Sequence, residues 1–342
     1  MTSRAPHDHT SSTSTGTDCS AGAPALSRDH YRRFGRTDLM VSPLGFGGAP
    51  IGMMESEQAE VGRILNRLLD LGVNLIDTAH IYRGSEAAIG NTVSHRRDEF
   101  VLVSKCGSAG KPNDLAPWSK AAITANIEES LTKLKTDVLD VILIHSCSRE
   151  TLEKSDAIEA VVAARDAGKV RFTGYSGDNE TGAWAATLPE MAVIQTSVSI
   201  CDQRNIDIVL PETNRHDVGV MAKRPVANAA WKALSDQYEA YAGYAKPYHE
   251  RFATMGLNLR DLGLADVTPG SAEEARLWPE IALRFTLSID GVHVAITGTT
   301  KPAHVDANVA AVAKGPLPGA AVEKIRSIFQ AADPDGSWPG LT

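Results

Sequence analysis

The sequence predicts an α/β chain folded as a (β/α)8 TIM barrel, with an N-terminal β-hairpin and a long insertion between barrel strands seven and eight. Three observations predict it. Short apolar runs rich in β-branched residues recur at positions 44–48, 74–78, 100–105, 138–145, 171–176, 192–196, 218–223 and 292–298, and such runs read as parallel strands buried on both faces. Helical patterns separate the early runs, and eight alternations of strand and helix imply a closed barrel. Polar residues close three successive runs: Asp77 ends Val73-Asn74-Leu75-Ile76 and is followed by Tyr82, Lys105 ends Phe100-Val101-Leu102-Val103-Ser104, and His145 ends Val141-Ile142-Leu143-Ile144. The C-terminal ends of neighbouring barrel strands open onto one pocket, where an acid, a phenol, an amine and an imidazole are expected to meet.

Residues 1–27 are rich in Ser, Thr, Ala and Gly and lack the apolar core of a secretion signal. They are expected to form a disordered tail with His7 and His9 solvated, leaving 28–342 as the barrel domain. Segments 32–36 and 39–42 flank a turn and predict the hairpin. Ser119 is placed to cap a helix whose Ile123, Ile127, Leu131 and Leu134 share one face. A second helix carries Ile158, Val161 and Val162 and stops at Gly168, a residue type suited to a helix end. Residues 224–289 break the rhythm with Trp231, Tyr238, Tyr241, Tyr244 and Tyr248 on helix and loop. An insertion of that size suits a lid or cofactor clamp; the plainer alternative is that its rings pack it onto the barrel wall. The turn-rich stretch 333–340 either folds over the site or frays.

The 342 residues, 43% of them hydrophobic, supply one large core, and one domain is the simplest count. A net charge of −8 argues against nucleic-acid or anionic-membrane partners, which attract clustered Lys and Arg. Cys19, Cys106, Cys147 and Cys201 form neither a CxxC pair nor a zinc-like set with histidine, so reduced thiols in a cytoplasmic protein without a metal are expected. No apolar stretch approaches the roughly 20 residues of a membrane helix.

A phenol with a pKa near 10 exchanges protons poorly at neutral pH unless a cation favours its phenolate form. Lys105 is the expected cation, with Asp77 holding it charged and His145 hydrogen-bonding a substrate oxygen or relaying a proton. The set suits protonation of a carbonyl oxygen as hydride arrives from a nicotinamide. Gly45-Phe46-Gly47-Gly48-Ala49-Pro50 lacks the third glycine of a Rossmann fingerprint. Barrels bind phosphates instead at the last two strand-to-helix loops, which here points to Gly298-Thr299-Thr300-Lys301-Pro302 before a helix from Ala303. No acid lies between Gly298 and Val305 to repel a 2′-phosphate, so Lys301, with His304 beside it, favours NADP while leaving NAD possible.

In order and spacing these segments resemble the aldo-keto reductases from about Arg32 to Phe329. The likeness is carried by Arg33-Phe34-Gly35-Arg36-Thr37-Asp38-Leu39-Met40-Val41-Ser42-Pro43-Leu44-Gly45-Phe46-Gly47-Gly48 and Gly72-Val73-Asn74-Leu75-Ile76-Asp77-Thr78-Ala79. It continues through Tyr82, Ser85-Glu86, Val103-Ser104-Lys105, Asp140-Val141-Ile142-Leu143-Ile144-His145 and Gly168-Lys169-Val170-Arg171-Phe172-Thr173-Gly174-Tyr175-Ser176. The resemblance implies a hairpin plugging the barrel's bottom, Tyr82 as general acid, Lys105 and Asp77 tuning it, and His145 orienting the carbonyl. It implies cofactor contacts at Gly48 and Asp77, nicotinamide-amide contacts at Ser176 and Gln195, and phosphate contacts at Lys223, Arg224, Gly298, Thr299, Thr300 and Lys301 with His304. An adenine contact is implied at Asn308. The chain departs from the family at Gly177, where many members have Asn, at Val198, where many have a Tyr under the nicotinamide, and at Ala307, where an acid often meets adenine. A ring from the insertion is then the candidate cover for the nicotinamide. The expected activity is NADP-dependent reduction of an aldehyde or ketone to an alcohol. The alternatives are a sugar or other alcohol dehydrogenase working oxidatively with NAD(P), and a non-catalytic cofactor-binding regulatory subunit similar in fold to the potassium-channel β subunits. The small-molecule substrate and the oligomeric state stay unassigned.

Overall fold

In a computed structural model the described residues are 24–53, 57–108, 115–237 and 239–341, side chains of 53 and 239–242 excepted. Eight strands close a parallel barrel: β3 (Leu44–Gly47), β4 (Leu75–Asp77), β5 (Val101–Cys106), β6 (Leu139–His145), β7 (Val170–Ser176), β8 (Val193–Ser197), β9 (Gly219–Lys223) and β10 (Val294–Thr297), with β10 pairing both β9 and β3. Every expected apolar run overlaps one of them, and none was expected that is missing. Two shorter strands, β1 (Arg32–Arg33) and β2 (Met40–Val41), pair antiparallel as the hairpin.

The barrel's inner layer explains where the hairpin sits. Phe34, Leu39 and Val41 join Leu75, Val103, Val141, Leu143, Val193, Met221, Val294 and Ile296 in one buried cluster. The hairpin therefore packs across the end of the barrel opposite the strand C-termini.

Around the barrel run α1 (Ala49–Met53), α2 (Gln58–Asp70), α3 (Ser85–Val93), α4 (Lys120–Leu134), α5 (Arg149–Lys154), α6 (Ala157–Asp166), α7 (Asn179–Ala186), α8 (Arg204–Ile208), α9 (Leu210–Arg215), α10 (Glu239–Met255), α11 (Ala272–Leu287), α12 (Pro302–Ala313) and α13 (Gly319–Ala332). The Ser119 hydroxyl accepts the Ala122 amide at 3.2 Å, starting α4, whose Ile123, Ile127 and Leu134 are buried. Past the end of α6, Gly168 takes φ +75°, the left-handed turn that glycine adopts without strain.

The insertion contributes α10 and most of α11; its rings pack on one another, and Tyr248 and Trp278 join barrel-side Val198, Ile200 and Val220 in one buried cluster. Trp231 stacks on Trp278 with centroids 6.1 Å apart, Phe252 meets Trp278 edge-on at 5.1 Å, and the buried Tyr248 hydroxyl donates to Asp202 at 3.2 Å. Tyr244 stays half exposed beside the Arg224 guanidinium. The side chains of Tyr238 and Tyr241 lie outside the described residues, as do His7, His9 and Cys19. Within the expected N-terminal tail, Leu26 is buried and its amide bonds the Leu71 carbonyl at 2.8 Å, so order begins before residue 28. Cys106, Cys147 and Cys201 are free thiols. Among the described residues no acid, His or Cys group could hold a metal, and no helix is long and apolar enough to cross a membrane.

Candidate active site

Strand periodicity builds this site. Successive side chains of a strand point to opposite faces, so a residue two positions beyond an inward one is inward too. Leu75, Val103, Leu143, Val193 and Met221 all face the barrel interior. Asp77, Lys105, His145, Gln195 and Lys223 follow each by two residues and form an inward ring at the strand C-termini. Ser176 closes β7 beside His145 and Gln195, its register partners.

Within that ring the Lys105 ammonium contacts both Asp77 carboxylate oxygens and the Thr78 carbonyl, each at 2.7 Å. The Gln195 side-chain amide donates to Asp77 Oδ1 at 3.0 Å, and the Ser176 hydroxyl donates to Gln195 Oε1 at 3.0 Å. Tyr82 enters from the turn after β4, where its amide bonds the Ala79 carbonyl at 2.9 Å. Its ring meets His145 edge-on, centroids 5.9 Å apart, and lies 5.1 Å from the Lys105 ammonium. The four residues expected to carry the chemistry are thus brought together.

Their ionisation follows from burial and pairing. Burial works against the Lys105 ammonium, but Asp77 and Tyr82 more than offset it and its pKa is raised. Burial lifts the Asp77 carboxyl, with the Lys105 charge pulling against it; two short contacts to one ammonium mark the pair as ionic. His145 is pushed down to about 3 by burial and by the Lys105 and Lys223 charges, so its imidazole is neutral at ordinary pH. The Tyr82 phenol departs from expectation. Burial raises its pKa, with Asp77 adding to the rise, and Lys105 only moderates it. The cation it faces is half of a neutral pair, so desolvation wins.

The residues expected to hold a cofactor fall into three groups. Ser176 and Gln195 bond one another and Asp77, as above. The Gly48 amide donates to the Asp77 carbonyl at 2.7 Å, and a Cβ there would come within 2.6 Å of the Ser85 hydroxyl; at Gly298 one would meet Pro50 at 2.6 Å. Both glycines are required by close packing at the mouth. Thr299, Lys301 and His304 form the turn into α12: the Thr299 hydroxyl contacts His304 Nδ1 at 3.0 Å and takes the Lys301 amide at 3.0 Å. No side chain caps that helix. Thr300 lies in the same turn, and Asn308 donates to the Thr297 hydroxyl at 3.2 Å.

Lys223 and Arg224 are drawn elsewhere. Lys223 pairs with Asp178 at 2.8 Å, and Arg224, at φ +55°, donates to the Leu341 carbonyl. Ser197 also donates to that carbonyl, at 2.8 Å, while the Leu341 amide donates to Asp202 at 3.0 Å and Gly340 pairs with Asn179 in both directions. The tail therefore folds over the mouth. Val198 is fully buried in one cluster with Ile200, Leu210 and Tyr248.

Sequence reasoning missed Asp178, Asp202 and Lys232. Asp178 accepts from Thr196, Ser197 and Asn205, a strand-end acid two residues beyond Ser176 that its position alone could have flagged. Lys232 joins Lys301 in depressing His304, whose pKa burial lowers first.

Comparison with known proteins agrees with this geometry. A family model described as "Aldo/keto reductase family" matches residues 43–330. The chain is similar to the uncharacterized oxidoreductase YqkF of Bacillus subtilis, at 28% identity over 82% of this chain and 90% of that one. It is similar to L-galactose dehydrogenase of Arabidopsis thaliana, at 24% identity over 92% and 98%. Among solved structures, the holo form of aldo-keto reductase AKR11C1 from Bacillus halodurans superposes with a TM-score of 0.71 at 26% identity, covering 87% of this chain and 95% of that one.

Proposed function

The chain belongs to the aldo/keto reductase family of oxidoreductases, and from that premise we propose that it reduces an aldehyde or ketone with NADPH, reversibly, using Tyr82 as general acid. The observation that carries this reading is the meeting of Tyr82, His145 and the Asp77–Lys105 pair at one mouth. The residues fit a nicotinamide dinucleotide: α12 begins uncapped beside Lys301 and Lys232, and Ser176 with Gln195 offers an amide and a hydroxyl to a carboxamide. When bound, that cofactor supplies the hydride.

The chain's own residues do the rest. Neutral His145 donates a hydrogen bond to the carbonyl oxygen, polarising it without placing a third cation in the pocket. The Tyr82 hydroxyl, protonated at neutral pH because burial raises its pKa, delivers the proton to that oxygen. Lys105, fixed by Asp77, stabilises the phenolate left behind. The hairpin and the inner layer form one buried apolar cluster beneath the site.

Assaying a carbonyl and alcohol panel with both nucleotides tests the reading. Nucleotide-dependent reduction of aldehydes supports it; nucleotide binding with no turnover in either direction sinks it in favour of a regulatory subunit.

A further inference from the structure

Two lysines stand in the inward ring, and they differ in what their ammonium groups have left to give. The Lys105 ammonium is held by two oxygens of Asp77 and one of Thr78, all at 2.7 Å, and it also bonds the Tyr82 hydroxyl. Its contacts are taken up inside the site. Lys223 has one recorded acceptor among the described residues, Asp178 Oδ2 at 2.8 Å, and its side chain is 12% exposed.

Asp178 cannot swing to satisfy it further. Its Oδ1 is fixed by the Thr196 hydroxyl at 2.8 Å, the Ser197 amide at 2.6 Å and the Asn205 side-chain amide at 2.9 Å. A nearly buried ammonium with spare donors is costly to leave as it is and gains from another oxygen. Burial already lowers the Lys223 pKa.

Its position says which oxygen. Lys223 follows inward-facing Met221 by two residues on β9, so it points toward the barrel axis, as Lys105 and His145 do. It is close enough to lower the pKa of both His145 and Asp77. Lys301 and Lys232, by contrast, stand around His304 at the start of α12.

We propose that Lys223 is a specificity residue that binds a second oxygen on the substrate, a hydroxyl or carboxylate on the carbon next to the reacting carbonyl. The inference rests on the proposed reading, in which that carbonyl lies between Tyr82 and His145. The enzyme then prefers hydroxyaldehydes and 2-oxo acids to plain alkyl carbonyls. A site built to hydrogen-bond a substrate oxygen discriminates strongly against the analogue lacking it.

The test compares glyceraldehyde with propanal for wild type, Lys223→Met, Lys223→Arg and the double variant Lys223→Met with Asp178→Asn, which leaves no unpaired buried carboxylate. The nucleotide Kd of each is measured by fluorescence without substrate. Lys223→Met and the double variant should lower the glyceraldehyde-to-propanal ratio of kcat/KM by about tenfold, through KM rather than kcat. Lys223→Arg should recover part of the ratio, and the nucleotide Kd should stay within about threefold. An unchanged ratio overturns the proposal. So does equal loss on both aldehydes with a weakened nucleotide Kd, which would make Lys223 a cofactor-phosphate residue. A wild type that binds nucleotide yet turns over neither aldehyde overturns the catalytic reading and this inference with it.

Discussion

Asp77 takes the Lys105 ammonium on both its oxygens at 2.7 Å while a third bond, from Gln195 at 3.0 Å, fixes the carboxylate from the other side. Removing either charge leaves the other buried and unpaired, which costs more than the pair contributes. Asp77→Asn and Lys105→Met are therefore expected to depress kcat separately, and the double variant to fall well short of the summed losses. Additive losses in a double-mutant cycle would make Asp77 a structural residue only.

In the proposed mechanism Tyr82 is the proton donor. General acid catalysis typically contributes about 10² to 10⁴-fold, so Tyr82→Phe should lose kcat by that order while nucleotide Kd holds. Wild-type turnover in that variant removes Tyr82 from the mechanism.

The barrel was legible because its strands alternate with helices and are buried on both faces, and the meeting of Asp77, Tyr82, Lys105 and His145 because strand ends converge. What the sequence could not weigh was desolvation. Reading Tyr82 beside Lys105 suggests a lowered phenol, but the strength of a cation depends on what else it touches, and Asp77 lies 118 positions from Gln195, which completes that network. The same limit hid the tail. Nothing local in Ser337-Trp338-Pro339-Gly340-Leu341 indicates that its carbonyls meet Arg224, Ser197 and Arg251, which are contacts between distant segments.

Because His145 is held down to about 3 and the Tyr82 phenol is raised, neither group changes charge between about pH 5 and 9. A depressed imidazole is already neutral throughout that window, and a raised phenol is still protonated. The kcat for reduction should be flat there and fall only at alkaline pH, as the phenol is lost. A break near pH 6.5, the ordinary histidine value, would show that His145 titrates.

Asp202 makes a stability prediction of definite sign. Burial, with the Asp178 charge, raises its pKa to about 7; Tyr248 and Leu341 bond one of its oxygens and the other has no hydrogen-bond partner among the described residues. A folded-state pKa above the unfolded one gives stability that is complete at low pH and lost as pH rises through the folded value. Asp202→Asn should therefore be closest to wild type near pH 3.5, below the unfolded pKa, and more stable at pH 8, by at most about 4 kcal/mol for roughly three pKa units. Denaturant melts at both pH values decide it, and a variant equally destabilised at each would show that the carboxylate is satisfied when charged.

The choice between nucleotides turns on the start of α12. Lys301 is the residue at the start of the helix, Lys232 stands close enough to act on His304, and the first turn, which no side chain caps, presents a positive dipole end. Asp306, the nearest acid along the helix, is tied to Arg67 at 2.6 Å and leaves the turn without a carboxylate to repel an anion. Against this, His304 is lowered by burial and by both lysines, so it contributes a hydrogen bond and no charge. The preference for a 2′-phosphate should come from the two lysines, each charge-assisted contact being worth about 1.5 kcal/mol or roughly tenfold. Lys301→Ala and Lys232→Ala should each weaken NADPH by about that factor while NADH binding stays put, and raised salt should erode the NADPH advantage. Tighter binding of NADH by wild type, or equal loss of both nucleotides in the variants, would move the phosphate away from this helix.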